Sequence, residues 1–77
     1  MSVTAYVFIE TSQAKAKEVN ASVRKIDGVK ESNAVTGPFD VIALIEASDI
    51  SVLGEFVVAK IQNLPGVIRT LTNVIAN

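Results

Sequence analysis

Apolar residues recur along this chain at two spacings that alternate: a strand-like run, a helix-like stripe, a second strand-like run, and then the same three patterns again. Val3 to Ile9 is rich in β-branched and aromatic residues without alternating apolar and polar. Val3, Ala5, Val7 and Ile9 point one way and Tyr6 and Phe8 the other, so both faces read as buried. Ala16, Val19, Val23 and Ile26 then fall at helical spacing, with Thr11 or Ser12 as the expected cap and Lys15, Lys17, Glu18, Arg24 and Lys25 largely outside the stripe. Gly28 stands where a left-handed residue ends a helix. Val29 to Thr36 is a more polar strand, suited to a sheet edge.

The second half repeats the plan. Val41 to Ala47 is apolar on both sides, with Val41, Ala43 and Ile45 on one and Ile42 and Leu44 on the other. Ser48 or Asp49 is the expected cap of a second helix, whose stripe is Leu53, Val57, Ile61 and Leu64 with Ile50 and Phe56 beside it. Pro65-Gly66 stops that helix, and Val67 to Ala76 alternates as a second edge strand. Laid over one another, the halves align Val41-x-Ala43 with Val3-x-Ala5, Val57 with Val19, Ala59 with Ala21, and Gly66-Val67 with Gly28-Val29. A duplicated β-α-β unit predicts one α+β domain over residues 1–77, a two-layer α/β sandwich of the ferredoxin-like βαββαβ type. Its antiparallel sheet takes the order 4-1-3-2, the two oiliest strands inside and both helices on one face.

Helices on one face leave the other bare. Tyr6, Phe8, Ile42 and Leu44 share a face opposite Val3, Ala5, Val7, Val41, Ala43 and Ile45, and the uncovered set needs a partner. A second copy, sheet against sheet across a two-fold axis, is the economical one. Composition strengthens this expectation. With 77 residues the chain is near the lower limit for an unaided core, yet 49% of it is apolar and only 19% charged.

Charge and residue usage exclude several function classes. A net charge of -1 with scattered cations gives no basic patch for nucleic acid, and the central strand Val41 to Ile45 offers no aromatic for stacking RNA bases. There is no cysteine and no histidine, so no disulfide, thiolate, common general base or usual zinc ligand is present; no metal and no cofactor is expected. No apolar run approaches a membrane span and Met1-Ser2-Val3-Thr4 does not build a signal peptide, which points to a cytoplasmic protein without membrane contact. Glu10, Glu31, Asp40, Glu46, Glu55, Lys60 and Arg69 have no spacing that dictates acid–base work, and the stretch after the first strand lacks the arginine of a phosphate-cradling loop. An enzyme is not expected.

At the join of the halves stands Thr36-Gly37-Pro38-Phe39-Asp40. Gly37 and Pro38 are accounted for by a hairpin turn. Asp40, a carboxylate at the mouth of an apolar strand, is open to two readings: it hydrogen-bonds loop amides, or it holds a ligand ammonium while nearby amides and the Thr36 hydroxyl take a carboxylate.

The layout, the Gly37-Pro38-Phe39-Asp40 turn, the Leu64-Pro65-Gly66-Val67 helix exit and the following Thr70-Leu71-Thr72 together resemble the C-terminal effector-binding domain of the leucine- and asparagine-responsive (Lrp/AsnC) regulators. The stand-alone form, the regulation-of-amino-acid-metabolism (RAM) module, is most similar. The likeness spans the whole chain. It implies dimers formed through sheet faces, often assembled into rings or octamers, and a small effector, usually an amino acid, bound between dimers near the turn and the last strand. Carried over by position, it nominates Gly37, Pro38, Phe39 and Asp40, with Thr70 and Thr72. Two departures stand out: Pro38 removes an amide donor, and Phe39 occupies a position where that family frequently has tyrosine. The parent regulators also carry an N-terminal helix-turn-helix, whereas this chain begins at its first strand. The resemblance therefore implies a non-catalytic amino-acid-binding and oligomerisation module without that DNA-binding element, modulating transcription or amino-acid metabolism. The alternative is an adaptor that co-assembles with full-length Lrp/AsnC regulators and binds no ligand itself. The related ACT domain shares the element order, but its ligand lies by a glycine-containing loop after the first strand, and Glu10-Thr11-Ser12-Gln13 has no glycine.

Overall fold

A computed structural model describes residues 2–77. Strand β1 (Val3–Thr11) is followed by α1 (Ala16–Arg24), β2 (Val29–Ala34), β3 (Val41–Ala47), α2 (Ile50–Phe56), a wider π-helical turn (Val57–Ile61) and β4 (Val67–Val74). The sheet has the order β2-β3-β1-β4 with antiparallel neighbours, which is the ferredoxin-like α+β arrangement expected from the duplicated pattern. The two most apolar strands are central and the two more polar ones are edges.

Register sorts the side chains by face. Val7 lies opposite Ala43, and Tyr6 opposite Leu44 on one side and Asn73 on the other. Ala5, Val7, Ile9, Val41, Ala43 and Ile45 turn towards the helices and are at most 1% exposed. Val19 and Val23 of α1, Leu53 of α2, and Val57 and Ile61 complete that core, with Ala16, Ile26, Phe56 and Leu64 packed at its margin.

Leu53, Val57 and Ile61 stay on one line for a geometrical reason. In an α-helix each four-residue step advances the contact line by about 40°, so Ile61 would drift away from the sheet. Instead the chain widens, and the Gln62 N–H donates to the Val57 carbonyl at 2.9 Å, five residues back. The wider turn absorbs the drift and keeps all three residues buried.

Several details differ from the sequence expectations. Neither Thr11 nor Ser12 caps α1: Thr11 is the last residue of β1, Ser12 N–H donates to the Gly66 carbonyl, and Lys15 precedes the helix without a side-chain cap bond. The last β1 residues pair with the start of β4, which keeps Thr11 in the sheet, and the Gly66 carbonyl holds Ser12 just beyond it. Asp49 does cap α2, accepting from the Val52 N–H at 2.9 Å. Ile50, expected beside the buried stripe, is 64% exposed, because the first turn of α2 stands clear of the sheet. Strands β2 and β4 end at Ala34 and Val74, each two residues short of expectation, and just beyond those ends the Val35 N–H donates to the Asp40 carbonyl and the Ile75 N–H to the Thr4 carbonyl.

The β2 edge is tied down by α1. Ser32 Oγ and Asn20 Oδ1 share a buried 2.6 Å hydrogen bond, and Arg24 Nε donates to the Ser32 carbonyl at 2.7 Å. Every buried polar side-chain atom among the described residues is partnered. Gly66, which joins α2 to β4, takes a left-handed φ of 95°, and a Cβ there would lie 3.1 Å from Val19 Cγ2. Both its conformation and its packing require glycine.

Candidate functional site

The β2–β3 connection is a hairpin closed at its base by the Val35 N–H donating to the Asp40 carbonyl at 2.8 Å. Two further bonds fix it to β1: Asp40 N–H donates to the Ile9 carbonyl at 3.0 Å, and Asp40 Oδ2 accepts from the Thr11 N–H at 2.9 Å. Of the two sequence readings of Asp40, the amide-binding one describes this carboxylate oxygen. Across 29 residues it holds the end of β1 against the turn.

The apex of the turn is free of such ties. Gly37 has φ 140° with open space where a Cβ would be, and Pro38 is exposed. Together with Val35, Thr36 and Phe39 they form a cavity of about 220 Å³, whose floor is Phe8 of β1 and Ile42 of β3. Phe8 and Ile42 are cross-strand partners on the face away from the helices, so the cavity lies on the open side of the sheet. Its walls are apolar except for Thr36.

Phe39 has two neighbours at its ring. Its ring centroid is 5.5 Å from that of Phe8, and the Arg69 guanidinium carbon lies 5.1 Å from it. Arg69 Nε also donates to Glu10 Oε1 at 2.8 Å, the two residues being register partners of β4 and β1. A charged group is thus placed beside the wall of an apolar cavity.

The six residues nominated from the sequence are divided by the fold. Gly37, Pro38 and Phe39 line the cavity, and Asp40 stands at its base with its carboxylate on the Thr11 amide. Thr70 and Thr72 belong to the helix side of β4, opposite Ile9 and Val7, and Thr70 Oγ1 accepts from Gln62 Nε2 at 2.9 Å. Within one chain they do not join the turn. Phe8, Val35, Ile42 and Arg69 were not nominated for ligand contact. The alternation that put Phe8 and Ile42 on the uncovered face was a signal for two of them; Arg69 required the β1–β4 register.

The open face extends well beyond the cavity. Tyr6 and Leu71 are 43% and 47% exposed there, with Leu44 half-buried between Tyr6 and Glu31 in the register. Glu10, Glu31, Asn33, Arg69 and Asn73 occupy the flanking positions of the same face. A larger and shallower depression of about 730 Å³ runs along α2 between Ile50 and Val58, with Glu55 as its one charged group. It holds none of the turn residues. No helix among the described residues is long and apolar enough to cross a membrane, and no group of three or more His, Cys, Asp or Glu among them could hold a metal ion.

Residues 4–77 match the family model of the Lrp/AsnC ligand binding domain. The chain belongs to that family. An HTH-type transcriptional regulator of Pyrococcus furiosus, itself uncharacterised, is 34% identical over 92% of this chain and 49% of its own length. The chain spans about half the length of the curated relatives it matches. Among solved structures, TTHA0845 from Thermus thermophilus superposes with a TM-score of 0.91 at 31% identity, over 97% of this chain and 94% of that one. A Neisseria meningitidis transcriptional regulator, solved as its L-Met complex, superposes with a TM-score of 0.86 at 25% identity, over 97% of this chain and 50% of its own. The Lrp/AsnC domain is thus a ligand-binding domain of transcription regulators, and the fold described above is shared with these solved structures.

Proposed function

We propose that this Lrp/AsnC domain is a non-catalytic, cytoplasmic effector-binding and oligomerisation module. It pairs with a second copy through the open sheet face, binds an amino acid or similar small metabolite at the Thr36–Asp40 turn, and thereby modulates transcription or amino-acid metabolism. One juxtaposition carries this reading: an apolar cavity built by the turn is set into an exposed apolar sheet face with polar flanking residues. Pairing two such faces removes the exposed apolar surface from water. A ligand held at the margin of the pair biases how the copies sit together, which is the coupling an effector needs.

Gly37, Pro38, Phe39 and Asp40 are the ligand-contacting residues in this proposal. Thr70 and Thr72, on the other face of the sheet, join a site only across a subunit boundary in a ring or octamer. The L-Met bound by the Neisseria relative supports an amino acid as the ligand. Shared sheet faces also give a route to co-assembly with full-length Lrp/AsnC regulators.

A thermal-shift panel of amino acids in mild denaturant tests the reading, since a ligand at a hundredfold excess over its Kd adds about 2.7 kcal/mol to stability. A dose-dependent rise for one or a few of them is expected; a flat panel moves the assignment to a ligand-free adaptor. Asp40→Asn is the informative variant, because it keeps an oxygen for the Thr11 N–H while removing the charge that would face an ammonium. Ligand affinity is expected to fall with the dimer intact.

A further inference from the structure

The two edges of the sheet are protected differently. Edge strand β2 runs for six residues, carries Lys30 and Glu31, and has its outward Ser32 carbonyl taken by Arg24 Nε at 2.7 Å. Edge strand β4 runs for eight residues, Val67–Val74, with no proline or lysine, and its one charged side chain, Arg69, bonds Glu10 of β1. Ile68, Leu71 and Val74 on it are exposed. The β1–β4 ladder is regular from Arg69 to Val74, and just beyond it the Ile75 N–H donates to the Thr4 carbonyl. By the alternation of an antiparallel ladder, Asn73, Leu71 and Arg69 then direct their backbone groups to β1, and Val74, Thr72 and Thr70 direct theirs outward. No side chain among the described residues hydrogen-bonds those outward backbone groups.

Outward from Leu71 the strand has the same chemistry in both directions: Thr70 and Thr72, Arg69 and Asn73, Ile68 and Val74, Val67 and Ile75. Such a strand matches a copy of itself, antiparallel, across a two-fold axis at Leu71. Threonine then faces threonine, β-branched residues face β-branched residues, and the one charge faces a neutral amide. Backbone directions agree with this register, because Thr70 and Thr72 both point outward and lie opposite one another, so their N–H and C=O groups bond directly. Other registers fit less well. Moving the axis to Arg69 opposes two guanidiniums, and moving it to Thr70 sets Arg69 against Leu71.

We propose that β4 is a self-pairing edge, through which two copies of this chain join their sheets antiparallel about Leu71. The contact is separate from the open-face pairing proposed above: it uses backbone groups along one edge and leaves both open faces free. Once two β4 strands have paired, neither has an edge left, so the contact closes at two copies. A strand pair of this length is small for a stable interface, and by itself it separates on dilution. Two copies joined through their open faces present two such edges, which dock together more strongly.

Paired cysteines test the register, because the chain has none of its own. Thr70 and Thr72 lie on the helix side of β4, so a disulfide between them does not arise from open-face pairing. In the proposed register Thr70 of one copy and Thr72 of the other have Cα atoms about 5.5 Å apart, within disulfide reach, whereas like residues sit diagonally at about 7–8 Å, beyond it. A concentrated mixture of Thr70→Cys and Thr72→Cys chains, oxidised with glutathione disulfide, is expected to give a covalent dimer on a non-reducing gel, and either variant alone much less. Thr72→Pro deletes an outward N–H and no bond of the β1–β4 ladder. Its circular dichroism is expected to match wild type, while its assembly mass in native mass spectrometry falls to about half or less. If the mixture gives no covalent dimer, or if Thr72→Pro keeps the wild-type mass, the edge contact is overturned, and open-face pairing is read separately from Tyr6→Glu. If either cysteine variant alone cross-links as readily as the mixture, the register about Leu71 is overturned.

Discussion

The two faces of one sheet are built from alternate residues of the same strands, yet they do different work. On the helix side Ala5, Val7, Ile9, Val41, Ala43 and Ile45 are sealed by α1, α2 and the π-helical turn. On the other side Tyr6, Phe8, Ile42, Leu44 and Leu71 carry comparable hydrophobicity with no helix over them: Tyr6 and Leu71 are exposed, and Phe8 and Ile42 are only partly covered by the turn. The helix-side residues fold the domain, and the exposed ones are available to join it to something else. Separation by alternation lets a 77-residue chain hold both sets, because a one-residue step along a strand moves a side chain from one environment to the other.

The largest effect should come from opening the sealed face. Ile9→Ala removes a fully buried side chain from the centre of the core and is expected to cost about 2–5 kcal/mol of unfolding free energy in urea titrations, whatever the oligomeric state. Tyr6→Glu places a charge on the open face instead. Its expected signature is the reverse: circular dichroism is retained, while light scattering shows a dimer reduced to monomers. A variant that both stayed dimeric and lost its fold would break the division between the faces.

Smaller changes sharpen the comparison. Gly66→Ala acts on the sealed side through both a left-handed backbone and a contact with Val19, and is expected to cost about 1–3 kcal/mol in the same titrations. The smallest effect belongs to Glu46, at the far end of β3 from the turn. The Ser2 hydroxyl hydrogen bond, then the hydrogen bond and charge of Lys30, hold its carboxyl below the usual value of 4.5. A depressed carboxylate stabilises the fold above its unfolded value and loses that contribution as pH falls through the lower folded one. Glu46→Gln should therefore melt below wild type near neutral pH, with the gap closing as pH drops below about 4.5. Because the group is exposed, the gap should be narrow and shrink with added salt.

Much of the fold was legible because it rests on local pattern. Strand type, helix stripes, the Asp49 cap and the Gly66 stop each depend on a few neighbouring residues, and the repeat of one half in the other fixes how many elements there are. The α1 start was misread for the same reason. Thr11 and Ser12 have the chemistry of caps, but pairing with β4 and the Gly66 carbonyl claim them first, and those partners are more than fifty residues away. The candidate site shows the same limit. Gly37, Pro38 and Phe39 were visible as a turn, whereas the contact of Arg69 with Phe39 depends on the register of β4 against β1, two neighbouring strands far apart in the sequence.

By itself the sequence determined the duplicated β-α-β plan, the strand order, the split of each central strand into two apolar sets, and membership in the Lrp/AsnC ligand-binding family. The first three follow from periodicity and short motifs, which are properties of neighbouring residues, and the last from the likeness of the whole chain to that family. Only the tertiary structure decided that the helices seal the Ala5 and Val7 side, that Asp40 binds the Thr11 amide, that Thr70 and Thr72 face away from the turn, and that Arg69 meets both Glu10 and Phe39. Those outcomes depend on distances between residues remote in the chain, and such distances exist only after the sheet has set its register.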